Sequence, residues 1–287
     1  MTDPAEPARR DAAPEAARPR AGGSPTPGLA NPMAADIAAQ AGATPAWTDF
    51  SWLVIQLARC IREGEVTFSG VNSSLAMLAC LLAQRAYPFR FTYINVAGGV
   101  DPHPARAPVS SSDPSLFEGS PAIFANADFY DLCLRGGMDL CFLGCAQIDA
   151  TGRTNVSLIG SPEAPRVRLP GGGGAVVMLP TARRVVTWRI EHSSRSLVER
   201  LDFVTAAGRM ATLVTPLAVF ERDPDLPGAR FALARLRPGV ELDAVRARTG
   251  FAFSADGLQA AEPPTAAERE TLAILDPDGR FAADLVR

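Results

Sequence analysis

Two blocks of apolar residues open the ordered pattern, after about 45 residues that have none. Asp49 or Ser51 can cap a helix through Trp52-Leu-Val-Ile-Gln-Leu-Ala-Arg-Cys-Ile61. Glu65-Val-Thr-Phe-Ser69 alternates and is β-rich, so it reads as a strand. A turn at Gly70–Ser74, an apolar helix from Leu75 to Arg85 and a second strand, Phe91–Val96, complete a βαβ unit with parallel strands. The second strand runs out at Ala97-Gly98-Gly99.

Residues 101–121 are rich in Pro and Ser and read as a long loop. A helix over 127–135, an apolar strand over 139–144 and a short strand over 156–159 follow. Arg184–Ile190 is a strong strand, 196–204 a short helix and turn, and 214–220 one late strand. Residues 240–248 and 265–275 read as exposed helices, the second opened by the capping box Thr265–Glu268. Alternating strands and helices predict an α/β fold with an open, mostly parallel sheet, flanking helices and function in the loops at the strand ends.

The domain organisation follows from the same pattern. Residues 1–45 hold Arg18-Pro-Arg-Ala-Gly-Gly-Ser-Pro-Thr-Pro-Gly28 and bury too little to offset ordering entropy, so a disordered extension is expected there, with a short Ala-rich helix at 33–42. Residues 46–287 form the folded domain.

Composition then removes function classes. A net charge of −3 argues against a nucleic-acid partner held by counterion release. No apolar run is long enough for a membrane span, and no apolar core follows the N-terminus. All 28 basic side chains counted as Lys or Arg are arginines, so Schiff-base and Walker lysines are excluded. Five cysteines without a ligand spacing predict no metal site and a reduced, cytoplasmic chain.

Candidate chemistry sits at the predicted strand ends. The run Gly171-Gly172-Gly173-Gly174 could present backbone N–H groups to an oxyanion, or be a flexible connection. Gln147 could bind an acyl carbonyl or a partner's carboxylate, or join a turn network with Asp149. Asn72, ahead of a helix, could contact an anion or cap that helix with Ser73. Gly98 and Gly99 join the binding candidates at the end of the second strand. His103 in the long loop could act as a general acid or base, and Glu118, within the same loop, is a candidate to supply a carboxylate. His192 reads as a residue that orients its loop or meets a partner.

Four phrases occur in one order: Gly144-Cys-Ala-Gln-Ile-Asp149, Thr151-Gly-Arg-Thr-Asn155, Arg168-Leu-Pro-Gly-Gly-Gly-Gly-Ala175 and Val198-Glu-Arg-Leu-Asp-Phe-Val-Thr205. Together they resemble the β-type subunit of family I CoA-transferases of the glutaconate and 3-oxoacid kind, over roughly residues 50–282. The resemblance implies a doubly wound fold, an α-type CoA-transferase partner subunit and an acyl-CoA thioester substrate. Coenzyme A would then be substrate or product, with no other cofactor. It also implies a glutamate nucleophile after the second strand, and counting back from Gly98 and Asp101 puts Val96 there. In lacking that glutamate the chain is similar to the ring-opening acyl-CoA hydrolase branch, in which the carboxylate would come from the α-type partner. CoA transfer, acyl-CoA hydrolysis and a non-catalytic partner subunit are the readings left open. A sugar-isomerase relative on the same fold would lack its phosphate-binding lysine.

Overall fold

Residues 47–284 are described in a computed structural model. The extension 1–45 and the Ala-rich segment 33–42 lie outside the described residues. Helix α1, Asp49–Ala58, is apolar on nearly every side and buried on nearly every side. It starts at Thr48 rather than at Asp49 or Ser51: Thr48 Oγ1 accepts the Ser51 N–H at 3.0 Å, and Ser51 answers from the third helical position. Trp52, fully buried, donates its indole N–H to the Thr215 carbonyl at 2.8 Å and fastens α1 to the sheet.

The expected βαβ unit is β1 (Val66–Ser69), α2 (Ser74–Ala86) and β2 (Thr92–Asn95), with β1 and β2 parallel and Phe68 opposite Ile94. After β2 the chain turns back through β3 (Gly99–Val100), a 3-10 turn at Pro114–Phe117 and β4 (Ala122–Ile123), which form an antiparallel edge. The loop read over 101–121 therefore ends in edge structure. Helix α3 (Asn126–Leu134) returns the chain to β5 (Leu140–Phe142) on the other side of β1.

Two small hairpins come next, β6 (Gln147–Ile148) with β7 (Thr154–Asn155) and β8 (Leu158–Gly160) with β9 (Pro165–Arg168). Helix α4 (Ala175–Thr181), β10 (Arg184–Trp188) and β11 (Met210–Val214) follow. The sheet has nine strands in the order β13-β12-β11-β10-β5-β1-β2-β3-β4. Its centre, from β11 to β2, is parallel throughout. The chain leaves β1 toward β2 and later leaves β5 toward β10, so the winding reverses between β1 and β5.

Side chains alternate between two cores, one on each face, as the period of two requires. Leu140, Phe142 and Val186 face α1 and α2, whereas Cys141 and Val185 face α3 and α4.

Three expectations are corrected. The stretch 196–204 has a turn at its start but holds no helix, because Ile148 donates its N–H to the Ser196 carbonyl and accepts the N–H of Val198, which takes up backbone groups a helix would need. The single strand at 214–220 is two strands. Pro216 has no N–H for a ladder, and Thr215 Oγ1 accepts the Ala218 N–H at 3.1 Å, so the chain reverses into β12 (Ala218–Glu221). Strand β13 (Ala232–Leu236) pairs beyond it. The last helices, α5 (Leu242–Arg248), α6 (Ala266–Leu275) and α7 (Arg280–Asp284), are not simply exposed. In α6, Glu268, Thr271, Leu272 and Leu275 are buried.

Candidate functional site

A cavity of about 810 Å³ opens at the carboxyl ends of β1, β2, β5 and β10. That is where the winding reverses, and the divergence of the connections on either side leaves a crevice. Gly70 to Leu75 form one wall, Gly144 to Ala146 another and Gly171 to Gly174 a third.

Asn72, Val96 and the four glycines come together in this cavity. Asn72 has φ +52°, a left-handed conformation that a non-glycine residue holds at some cost. Ser73 occupies the N-cap position of α2, yet its side chain makes no capping bond; its Oγ donates to the Val71 carbonyl instead.

Each glycine of the run has its own reason. Gly171 and Gly173 have φ +93° and +47°, with open space where a Cβ would be. Gly172 and Gly174 are close-approach positions. A Cβ at Gly172 would lie 2.6 Å from Val176 and 3.0 Å from Thr205, and one at Gly174 would lie 2.7 Å from the Tyr130 hydroxyl. The Gly171 N–H is already given to the Val156 carbonyl at 2.8 Å. Among the described residues the N–H groups of Gly172, Gly173 and Gly174 have no such partner.

Gln147 lies behind the glycines rather than in the cavity. Its Oε1 accepts from Asn155 Nδ2 at 2.7 Å, and its Nε2 donates to Asp202 at 3.4 Å. Asn155 also donates to the Leu158 carbonyl at 2.6 Å and accepts from Ser157 N at 3.0 Å. Thr205 Oγ1 accepts from Val156 N at 3.0 Å, next to the carbonyl that holds Gly171. The four sequence phrases thus meet in one hydrogen-bonded support that fixes the glycine run. Asp149 closes its turn, accepting from Thr151 N at 2.9 Å and Arg153 Nε at 2.7 Å.

The other candidates are elsewhere. Gly98 and Gly99 are packing positions: a Cβ there would stand 2.4 Å from the Phe124 carbonyl oxygen and 2.0 Å from that of Leu116. His103 is exposed and lines a separate, smaller cavity with Phe91 and Thr92, at the start of β2, the end of the strand away from Val96. The chain has doubled back by then, with the Asp101 N–H on the Tyr93 carbonyl. Glu118 is exposed beside it, its carbonyl accepting the His103 N–H at 2.7 Å. Neither residue lines the main cavity. His192 is buried between Thr215 and Thr249, 2.8 and 2.9 Å from its ring nitrogens, and burial, aided by the positive charge of Arg248, lowers its pKa to about 4.

Among the described residues, those lining the main cavity include no acid. Its ionisable side chains are Tyr130, Cys145 and Arg189, none of which the sequence pattern had singled out. Burial raises the Cys145 thiol above its ordinary pKa, against the opposing effects of Thr187 and Arg189, so it is a poor nucleophile. Tyr130 reaches the glycines because α3 packs on α4, a contact between elements far apart in the chain.

The cavity at the reversal point of a parallel sheet, floored by glycine amides, defines the ligand-binding α/β class of doubly wound domains. Within that class the sequence is specific: residues 54–248 match the Coenzyme A transferase family model, and the chain belongs to that family. It is 28% identical over 249 residues to the β-type subunit of the 3-oxoadipate CoA-transferase of Pseudomonas knackmussii, covering 80% of this chain and 94% of that one. Against the β-type subunit of the glutaconate CoA-transferase of Acidaminococcus fermentans it is 25% identical over 167 residues, 56% of this chain and 61% of that one. The crystal structure of that enzyme shares the fold, with a TM-score of 0.74, 22% identity and coverage of 83% and 98%. The crystal structure of the decarboxylase AibA/AibB matches with a TM-score of 0.75 and 32% identity, over 82% of this chain and 98% of that one.

Proposed function

We propose that this chain is the β-type subunit of a heteromeric enzyme that acts on an acyl-CoA thioester, and that an α-type partner supplies the reactive carboxylate. One observation carries the reading: among the described residues the cavity at the carboxyl ends of the central strands has no acid in its wall, and Val96 lines it where the family resemblance expects glutamate. A valine cannot form a glutamyl thioester. The N–H groups of Gly172, Gly173 and Gly174, with the Tyr130 hydroxyl, would polarise the thioester carbonyl. The partner's acid would attack that carbonyl or activate water. The likeness to a decarboxylase as well as to transferases fits a subunit whose chemistry has moved away from CoA exchange.

The test is co-expression with the α-type chain, incubation with acyl-CoA, borohydride trapping and mass spectrometry of both chains. Turnover by the pair, with this chain unmodified, is expected. A thioester adduct on this chain, or full activity without a partner, would overturn the assignment.

A further inference from the structure

We infer that the smaller cavity, at the start of β2, is a binding site for a free α-amino acid with an apolar side chain. The inference is independent of the acyl-CoA reading, because the two cavities lie at opposite ends of β2. The smaller one measures about 370 Å³, enough to enclose a ligand of that size. Separate segments of the chain line it. Gln84 comes from the last turn of α2, Phe89, Arg90 and Phe91 from the approach to β2, and Asp101 and His103 from the return after β3.

Asp101 is the fixed charge. Its Oδ1 accepts the Tyr93 N–H at 2.7 Å and Gln84 Nε2 at 3.3 Å. Gln84 Oε1 is enclosed, so that side chain orients Asp101 and does not meet a ligand. The second carboxylate oxygen, Oδ2, has no hydrogen-bond or ion-pair partner among the described residues. Arg85, beside Gln84, is engaged with the Pro104 carbonyl. Arg90 and His103 are exposed, and among the described residues their side chains make no hydrogen bond or ion pair.

The cavity therefore offers a carboxylate oxygen and a guanidinium that do not neutralise each other. A ligand that carries both an ammonium and a carboxylate satisfies the two at once. Its ammonium takes Asp101 Oδ2, and its carboxylate takes the Arg90 guanidinium through paired N–H donors. Phe89 and Phe91, with ring centroids 6.4 Å apart, supply apolar surface for its side chain. A plain amine leaves Arg90 without a partner, and a plain carboxylic acid leaves Asp101 without one. A phosphate would set its negative charge against Asp101.

The test is calorimetry on the full chain with L-leucine, L-phenylalanine, phenethylamine and 3-phenylpropionate. It is repeated on Arg90→Gln and Asp101→Asn, with Tm recorded for each. Asparagine tolerates the left-handed φ of +47° at position 101 and keeps an oxygen for the Tyr93 N–H, so only the charge is removed. At least one of the amino acids is expected to bind with a Kd of about 1 mM or below. The amine and the acid, each lacking one of the two pairs, should bind at least about tenfold more weakly. Each variant should weaken the amino acid by roughly tenfold, the size of one charged hydrogen bond at a partly exposed site. If Asp101→Asn proves unstable, Arg90→Gln decides, since the Arg90 side chain bonds to nothing in the described fold. No binding of either amino acid at about 10 mM would overturn the inference. So would binding of the amine or the acid as tight as that of the amino acids. Binding that Arg90→Gln leaves unchanged is an adventitious surface contact and would overturn it as well.

Discussion

At the scale of single residues, the glycine run separates position from conformation. Gly172→Ala places a methyl 2.6 Å from Val176 and 3.0 Å from Thr205, so the loop or its neighbours must move. Displaced amide donors should lower kcat/KM of the heteromer by roughly tenfold to a hundredfold. Gly173→Ala meets nothing and keeps the loop in place. Its left-handed φ of +47° should cost about 1 kcal/mol in a denaturant titration, with activity retained. Similar activity losses in both would argue against a positioned cradle.

His192 sets a pH dependence. Its folded pKa of about 4 lies below the ordinary value of 6.5, so the unfolded chain takes up the proton first. The stability it contributes is complete above about pH 6.5 and is lost as the pH falls toward 4. The upper figure is about 3 kcal/mol at 1.36 kcal/mol per unit. The slope of stability between those limits should flatten in His192→Gln, whatever its absolute stability; an unchanged slope would place the titration on other groups.

At the scale of elements, α6 is held by one buried acid. Glu268 accepts from Arg59 Nε and Nη2, each at 2.9 Å, from the Tyr87 hydroxyl at 2.9 Å and from the Thr265 N–H at 2.7 Å. Those donors hold its carboxyl below the ordinary carboxylate range, although burial alone would raise it. Glu268→Ala leaves Arg59 and Tyr87 without their acceptor and removes one half of the capping box, the bond from the Thr265 N–H, while Thr265 Oγ1 still accepts the N–H of residue 268. A destabilisation of about 3 kcal/mol is expected, with faster amide exchange over α6 than over the β1–β5 centre. Protection unchanged in α6 would show that its apolar contacts suffice.

Much of this element structure was legible beforehand. β1, α2 and β2 announced themselves because each keeps one strong period and clear turn residues. α4 did not, because Gly174 precedes it and Pro180 lies within it, and both lower helix propensity. The 196–204 segment was misread for the opposite reason. Its composition permits a turn of helix, but β6 takes its backbone groups.

At the scale of the whole molecule, the arrangement of strands decides where chemistry can occur. The reversal between β1 and β5 sets the crevice, and five connecting segments from different parts of the chain line it. If an α-type partner supplies the acid, as proposed, this chain should be inert alone. The trapping experiment with the α-type chain is therefore a test at this scale, and the partner is expected to carry any covalent adduct.

By itself, the sequence determined the α/β class, the parallel βαβ start, the family phrases and the valine at position 96, since these depend on local period and residue identity. Only the tertiary structure decided that Gln147 supports the glycines from behind, that His103 stands apart from the cavity and that Tyr130 and Arg189 enter it. Those facts depend on which loops the sheet order brings together, and contacts between distant segments leave no periodic trace in a single chain.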